Sequence, residues 1–197
     1  MLRIIPYTFT KMQQYARKFL SSALDVLEIA FVALVSVYLI RTFLVQPFVV
    51  SGASMTPTFQ NGDYLLIDEL VYRFRSPERG EVVVFRNPRD ASIYFIKRIV
   101  GLPGEHVAIR DGKIEVATSG GENNAVLNEQ YLLPHVTTGG TIDYVLGDGE
   151  YFVLGDNRSF SFDSRNWGLL PAGDIVGLVR FRLWPLSGLT AFAAPQY

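Results

Sequence analysis

The chain has 197 residues, 49% of them hydrophobic and 19% charged, with a formal net charge of −1. That length suits one ordinary domain, and the composition excludes a disordered, collagen-like or highly charged tail protein. There is no global basic field for nucleic acid, and the lack of cysteine excludes a disulfide framework, a cysteine nucleophile and thiolate metal sites.

Charge is unevenly placed. The first 50 residues carry five basic and two acidic side chains, and the rest carry 13 and 17. From Leu24 to Val50 the chain is nearly all apolar. Leu24 to Val45 would form a helix of about 33 Å, enough to cross the hydrocarbon of a bilayer. Asp25 and Glu28 lie near one end and Arg41 near the other, where charged heads can reach water. Pro47 is expected to stop the helix. A buried helix and a cleaved signal peptide are the alternatives, but Ile40 to Val50 offers no small-x-small cleavage triplet. Arg3, Lys11, Arg17 and Lys18 precede the span with no acid among them, which puts that end in the cytoplasm and the body across the membrane.

After Pro47 the pattern becomes that of strands. Phe48 to Val50, Tyr64 to Ile67, Glu81 to Phe85, Ser92 to Val100, Val107 to Arg110, Lys113 to Val116, Glu150 to Leu154 and Ile175 to Leu183 are short β-branched or aromatic runs. Gly, Pro, Asn and Asp bound them, and Asp111-Gly112 marks a hairpin. Residues 117–149, rich in Gly, Asn and Thr, read as an irregular insertion, either a surface loop or a lid.

Three segments carry chemistry. In Ser51-Gly52-Ala53-Ser54-Met55-Thr56-Pro57-Thr58, small residues let the chain turn so that Ser54 projects its hydroxyl, as a turn serine or as a nucleophile. Met55, apolar in a polar turn, suggests contact with substrate or bilayer. In Phe95-Ile96-Lys97-Arg98-Ile99-Val100, one of two adjacent cations must share a face with apolar residues. Lys97 is either a protective edge-strand lysine or a buried amine whose lowered pKa makes it a base. Residues 155–168 follow a strand and pack two aspartates, two arginines and three serines into one loop. This is a solvated turn or a braced site: Asp163 can pair with Arg165, and Ser161 can orient a neighbouring amine.

Together these segments resemble bacterial type I signal peptidase, the membrane-bound leader peptidase family of serine proteases. SGASMTPT is similar to that family's nucleophile box, RGEVVVFRNP to its strand box, KRIVGLPGE to its lysine box and GDNRSFSFDSRNWG to its last box. The resemblance implies a mainly β fold: a signal-peptidase-like antiparallel β catalytic core (about 47–116 and 150–197) with an irregular β insertion (about 117–149). It would be preceded by a cytoplasmic segment (1–23) and one transmembrane α-helix (24–46).

It further implies Ser54 as nucleophile, Lys97 as general base, Ser161 orienting Lys97, and an Asp163–Arg165 salt bridge in support. Shallow substrate pockets would be lined by Phe48, Val50, Met55, Phe59, Phe95 and Ile96. Some relatives carry a serine oxyanion donor where this chain has Gly52, so that role is not transferred. The implied reaction removes N-terminal signal peptides from secreted preproteins after small-x-small motifs, with no cofactor. The implied partners are preprotein signal peptides, the lipid bilayer and the secretion translocon, and not nucleic acid.

Rival readings are a self-cleaving Ser/Lys regulatory protease, a catalytically inactive anchored β-domain, and a Ser-His-Asp protease. The last would need His106 or His135, neither of which has a carboxylate in an orienting context in sequence. Two histidines without cysteine give too few soft ligands for a metal enzyme.

Overall fold

The computed structural model describes residues 7–43, 45–118, 125–192 and 194. The chain divides into two units, residues 1–43 and 44–197. The described residues of the first form one helix, α1 (Tyr7–Phe43). Within it Arg17–Tyr38, 22 residues, is long and apolar enough to cross a membrane. Side chains such as Phe31 and Leu34 are exposed, which suits a helix that is apolar all round.

The helix ends at Phe43, earlier than sequence suggested, and Pro47 lies inside a strand, β1 (Val45–Val49). β1 is at the edge of its sheet, where a residue without an N–H is tolerated. Its partner is β2 (Tyr64–Asp68), and the sheet continues through β11 (Ile175–Trp184), β3 (Val82–Asn87), β4 (Asp90–Gly101), β9 (Glu150–Leu154) and β10 (Leu170–Pro171). A short β12 (Thr190–Ala191) also pairs with β11. All these pairings are antiparallel. The β-branched and aromatic runs of the sequence coincide with strands to within a residue or two, except that β1 begins three residues before the expected Phe48.

A second sheet has the order β7 (Ala125–Val126), β6 (Lys113–Thr118), β5 (Glu105–Arg110) and β8 (Ile142–Val145). It begins earlier than the insertion expected at 117. The Asp111-Gly112 hairpin belongs to it rather than to the first sheet. Both turn residues have positive φ, 51° and 75°, as a two-residue hairpin with right-handed strand twist requires.

Three apolar clusters hold the body together. Met55, Phe59, Leu65, Ile67 and Val179 form one beneath β2 and β11. Val107, Ile109, Ile114, Phe152 and Leu154 join the second sheet to the first. Val83, Phe85, Ile99 and Val153 fill the third. β4 crosses this frame as a 12-residue strand paired to β3 on one side and β9 on the other. It carries Lys97 to the middle of the sheet.

Candidate active site

The serine-bearing loop leaves β1 and is closed at its base. Val50 N–H donates to Asp63 O and Gly62 N–H to Val50 O, each at 2.9 Å. Gly52 takes φ of 104°, and its N–H donates to Asn61 Oδ1 at 2.9 Å. Met55 is 1% exposed and anchors the loop in the core. It lies in the core rather than at the surface, where its setting in a polar turn had suggested an outward contact. The turn between these anchors presents Ser54.

Lys97 meets it. Lys97 Nζ lies 2.8 Å from Ser54 Oγ and 2.9 Å from Ile96 O. Its side chain is 3% exposed and sits 5.2 Å from the centre of the Phe95 ring. Burial pushes the amine down to about 8, and the charges of Asp163 and Asp156 hold it from falling further. A partly deprotonated amine beside a hydroxyl is the arrangement a nucleophile and its base need.

The loop after β9 completes the surroundings. Asn157 N–H donates to Ser54 O, and Asn157 Nδ2 donates to Ala53 O, both at 3.0 Å. Asp163 is fully buried and pairs with Arg165, Nε to Oδ1 at 2.8 Å and Nη2 to Oδ2 at 2.9 Å. It also accepts from Gly155 N–H at 3.1 Å and caps a short helix, α2 (Ser164–Trp167). The brace foreseen from the sequence is formed. Ser161 differs: its Oγ is buried and makes no hydrogen bond, so the expected bond to Lys97 is not present. Ser161 Oγ and Ser54 O both press on the face of Gly155 where a side chain would begin, which is why this position has none.

Ser54 and Lys97 open onto a cavity of about 360 Å³. Phe48, Val50, Phe95 and Ile96 are among the residues that line it. Met55 and Phe59 do not; they are 1% and 0% exposed and belong to the core. Phe160 and Phe162, not foreseen, stand at the cavity with exposed rings.

His106 also departs from expectation. It does have a carboxylate, Asp143 Oδ1, 2.5 Å from Nε2. That pair joins β5 to β8 in the second sheet, and its other ligand is Arg110 rather than a serine. Among the described residues no group of three or more His, Asp or Glu side chains is placed to hold a metal ion.

A profile of the family described as "Signal peptidase, peptidase S26" matches residues 23–184. The chain belongs to the signal peptidase family. It is 41% identical over 154 residues to a probable signal peptidase I-2 of Synechocystis sp., covering 75% of this chain and 66% of that one. It is 37% identical over 183 residues to thylakoidal processing peptidase 1, chloroplastic, of Arabidopsis thaliana, covering 88% and 52%. Signal peptidase I P of Bacillus subtilis subsp. natto is 35% identical over 177 residues, covering 85% and 92%. The chain therefore spans just under two thirds and about half of the length of the first two relatives, and most of the third.

Two buried ion pairs of this signal peptidase family member escaped the sequence reading. Arg98 grips Asp156, Nε to Oδ1 at 2.8 Å and Nη2 to Oδ2 at 2.6 Å, and Thr58 Oγ1 donates to the same carboxylate at 2.6 Å. This ties the serine loop to β4. Arg158 pairs with Glu129, which lies in the stretch that looked like irregular loop. The one available signal was the density of charge in residues 155–168, which needs partners when buried.

Proposed function

We propose that this chain is a membrane-anchored signal peptidase I, a serine endopeptidase that removes signal peptides from preproteins after small-x-small motifs. The 2.8 Å hydrogen bond between Lys97 Nζ and Ser54 Oγ, in a site that lowers the amine pKa, carries this reading. Neutral Lys97 takes the proton of Ser54 as Oγ bonds to the scissile carbonyl carbon. The carbonyl oxygen becomes an oxyanion. Ser54 N–H, which has no acceptor among the described residues, is its donor. Collapse breaks the C–N bond, and the Lys97 ammonium protonates the departing amine. Lys97 then takes a proton from water, whose oxygen attacks the acyl-enzyme ester, and returns it to Ser54.

The apolar walls supplied by Phe48, Val50, Phe95 and Ile96 suit small apolar side chains. Asp163 and Arg165 brace the loop around the amine, and Ser161 lies in the same packing. Of the sequence layout, 1–23 is read as cytoplasmic and 47–197 as the extracytoplasmic catalytic part. The anchor would use the apolar stretch of α1, with the basic N-terminal side chains on the cytoplasmic side. The catalytic part would then face translocated preproteins near the bilayer and the secretion translocon.

The test is a mass-spectrometric assay of full-length protein in detergent with a small-x-small signal peptide. Wild type cleaves after the motif, and Ser54→Ala and Lys97→Ala each lose at least about a hundredfold in rate. Absence of cleavage by wild type overturns the reading. His106→Ala and His135→Ala retain activity; abolition by either moves the base from Lys97 to histidine.

A further inference from the structure

Arg158 is buried to its guanidinium, with no exposed side-chain surface. Nη1 donates to Glu129 Oε2 at 2.8 Å, and Nη2 donates to Glu129 Oε1. Nη1 also donates to Thr138 Oγ1, and Nη2 lies 3.1 Å from Tyr131 Oη. Tyr131 Oη in turn donates to Glu129 Oε1 at 2.6 Å. All three partners come from the segment between β7 and β8. None lies in the loops that bear Ser54 and Ser161 or in β4, which bears Lys97.

A buried ion pair is weak support for stability, because desolvation offsets most of its attraction. Its geometric effect here is specific. Arg158 Nε donates to Gly155 O at 3.2 Å, and Arg158 O accepts from Arg165 Nη2 at 2.7 Å. Arg165 Nη1 also reaches Gly139 O at 3.3 Å, so the segment is tied at both ends to the same loop. Between Gly155 and Arg158 sits Asn157. Its N–H and Nδ2 donate to the carbonyls of Ser54 and Ala53. A fixed chain of contacts runs from Glu129 through Arg158 and Asn157 to the backbone of Ser54.

We propose that Glu129 is a positioning residue for the nucleophile: through Arg158 it sets Asn157 against the Ala53 and Ser54 carbonyls, and so keeps the Ser54 hydroxyl in line with Lys97. The proposal rests on the Ser54/Lys97 reading above. It makes the segment between β7 and β8 part of the reaction apparatus. Without the carboxylate, a buried guanidinium loses its counter-ion and must move toward other acceptors, taking Asn157 with it.

The experiment compares Glu129→Gln, Glu129→Asp and wild type in full-length protein in detergent, measuring kcat and KM for signal-peptide cleavage and Tm. Arg110→Gln, in the exposed His106–Asp143 cluster, is the control. For Glu129→Gln, kcat falls by about 10- to 100-fold while KM stays within about twofold, as expected when reacting groups are misplaced by a fraction of an ångström to an ångström. Glu129→Asp recovers part of kcat, and Arg110→Gln keeps all of it. A wild-type kcat in Glu129→Gln, whatever its Tm, overturns the proposal. So does a loss carried by KM. So does failure of both Glu129 variants to fold, since the carboxylate would then hold the fold rather than aim the hydroxyl. An inactive wild type instead overturns the Ser54/Lys97 assignment, and the positioning role with it.

Discussion

Lys97 and Arg98 are successive residues of β4, and both are buried, at 3% and 4% exposure. Strand alternation sends them to opposite sides, Lys97 to the Ser54 hydroxyl and Arg98 to the Asp156 carboxylate. The two cations meet different chemistry. Arg98 has a bidentate counter-ion and stays charged, whereas Lys97 has a hydroxyl and a carbonyl and is poised to lose its proton.

Breaking the Arg98 pair from one side leaves Asp156 buried without its guanidinium. Arg98→Met is expected to destabilise the body by about 3–5 kcal/mol. The double variant Arg98→Met with Asp156→Leu recovers much of that loss, because no charge is left unpaired. Chemical denaturation of the two variants against wild type measures both. A double variant no more stable than the single would show that the damage is packing rather than charge.

Cleavage rate is expected to climb as pH rises through about 8, the value to which burial lowers Lys97. The base is active only when deprotonated, so the limb is on the alkaline side. Lys97→Arg should be inactive across that range, since a guanidinium cannot act as a base there. A pH–rate profile with its limb near pH 4 would point to a carboxylate base instead.

The same burial makes Lys97 a liability to the fold. Its folded pKa lies below its unfolded value, so between about pH 8 and 10.5 the unfolded chain holds more protons than the folded one. Stability therefore rises with pH through that window, and below it the protonated amine destabilises by an order of 3 kcal/mol. Lys97→Met should be inactive yet more stable than wild type at pH 7, with the difference shrinking toward pH 10. Thermal unfolding at several pH values tests this. A pH-independent difference would mean that Lys97 titrates alike in both states.

Gly155→Ala would place a methyl group well inside contact distance of Ser161 Oγ and the Ser54 carbonyl. The second neighbour is backbone, so the serine loop must yield. A loss of about a hundredfold in kcat is expected, with about 1–3 kcal/mol of destabilisation from overpacking. Retention of full activity would show that the loop yields without moving Ser54 Oγ.

Much of the site was legible because its residue types are unusual for their setting. The body after residue 50 has only Lys97 and Lys113, and a lysine in an apolar strand stands out. Ser54 stood out through the small residues before it. Met55 and Phe59 were misread because an apolar side chain carries no mark of whether it faces a core or a cavity. The His106–Asp143 pair depends on cross-strand register between β5 and β8, which alternation alone does not set. Glu129 was hidden for a similar reason: it is 29 residues from Arg158, in a stretch whose glycines and asparagines signal only loop. Pro47 misled by reading as a helix stop when it is an edge-strand residue.

The other buried cations among the described residues are guanidinium groups: Arg98 and Arg158 both serve as fixed clamps. Such groups keep their protons well past the alkaline limit at which proteins are ordinarily handled. These clamps thus hold their charge while the amine beside Ser54 changes state. An alkaline titration of the whole molecule becomes, at its centre, the titration of a single proton.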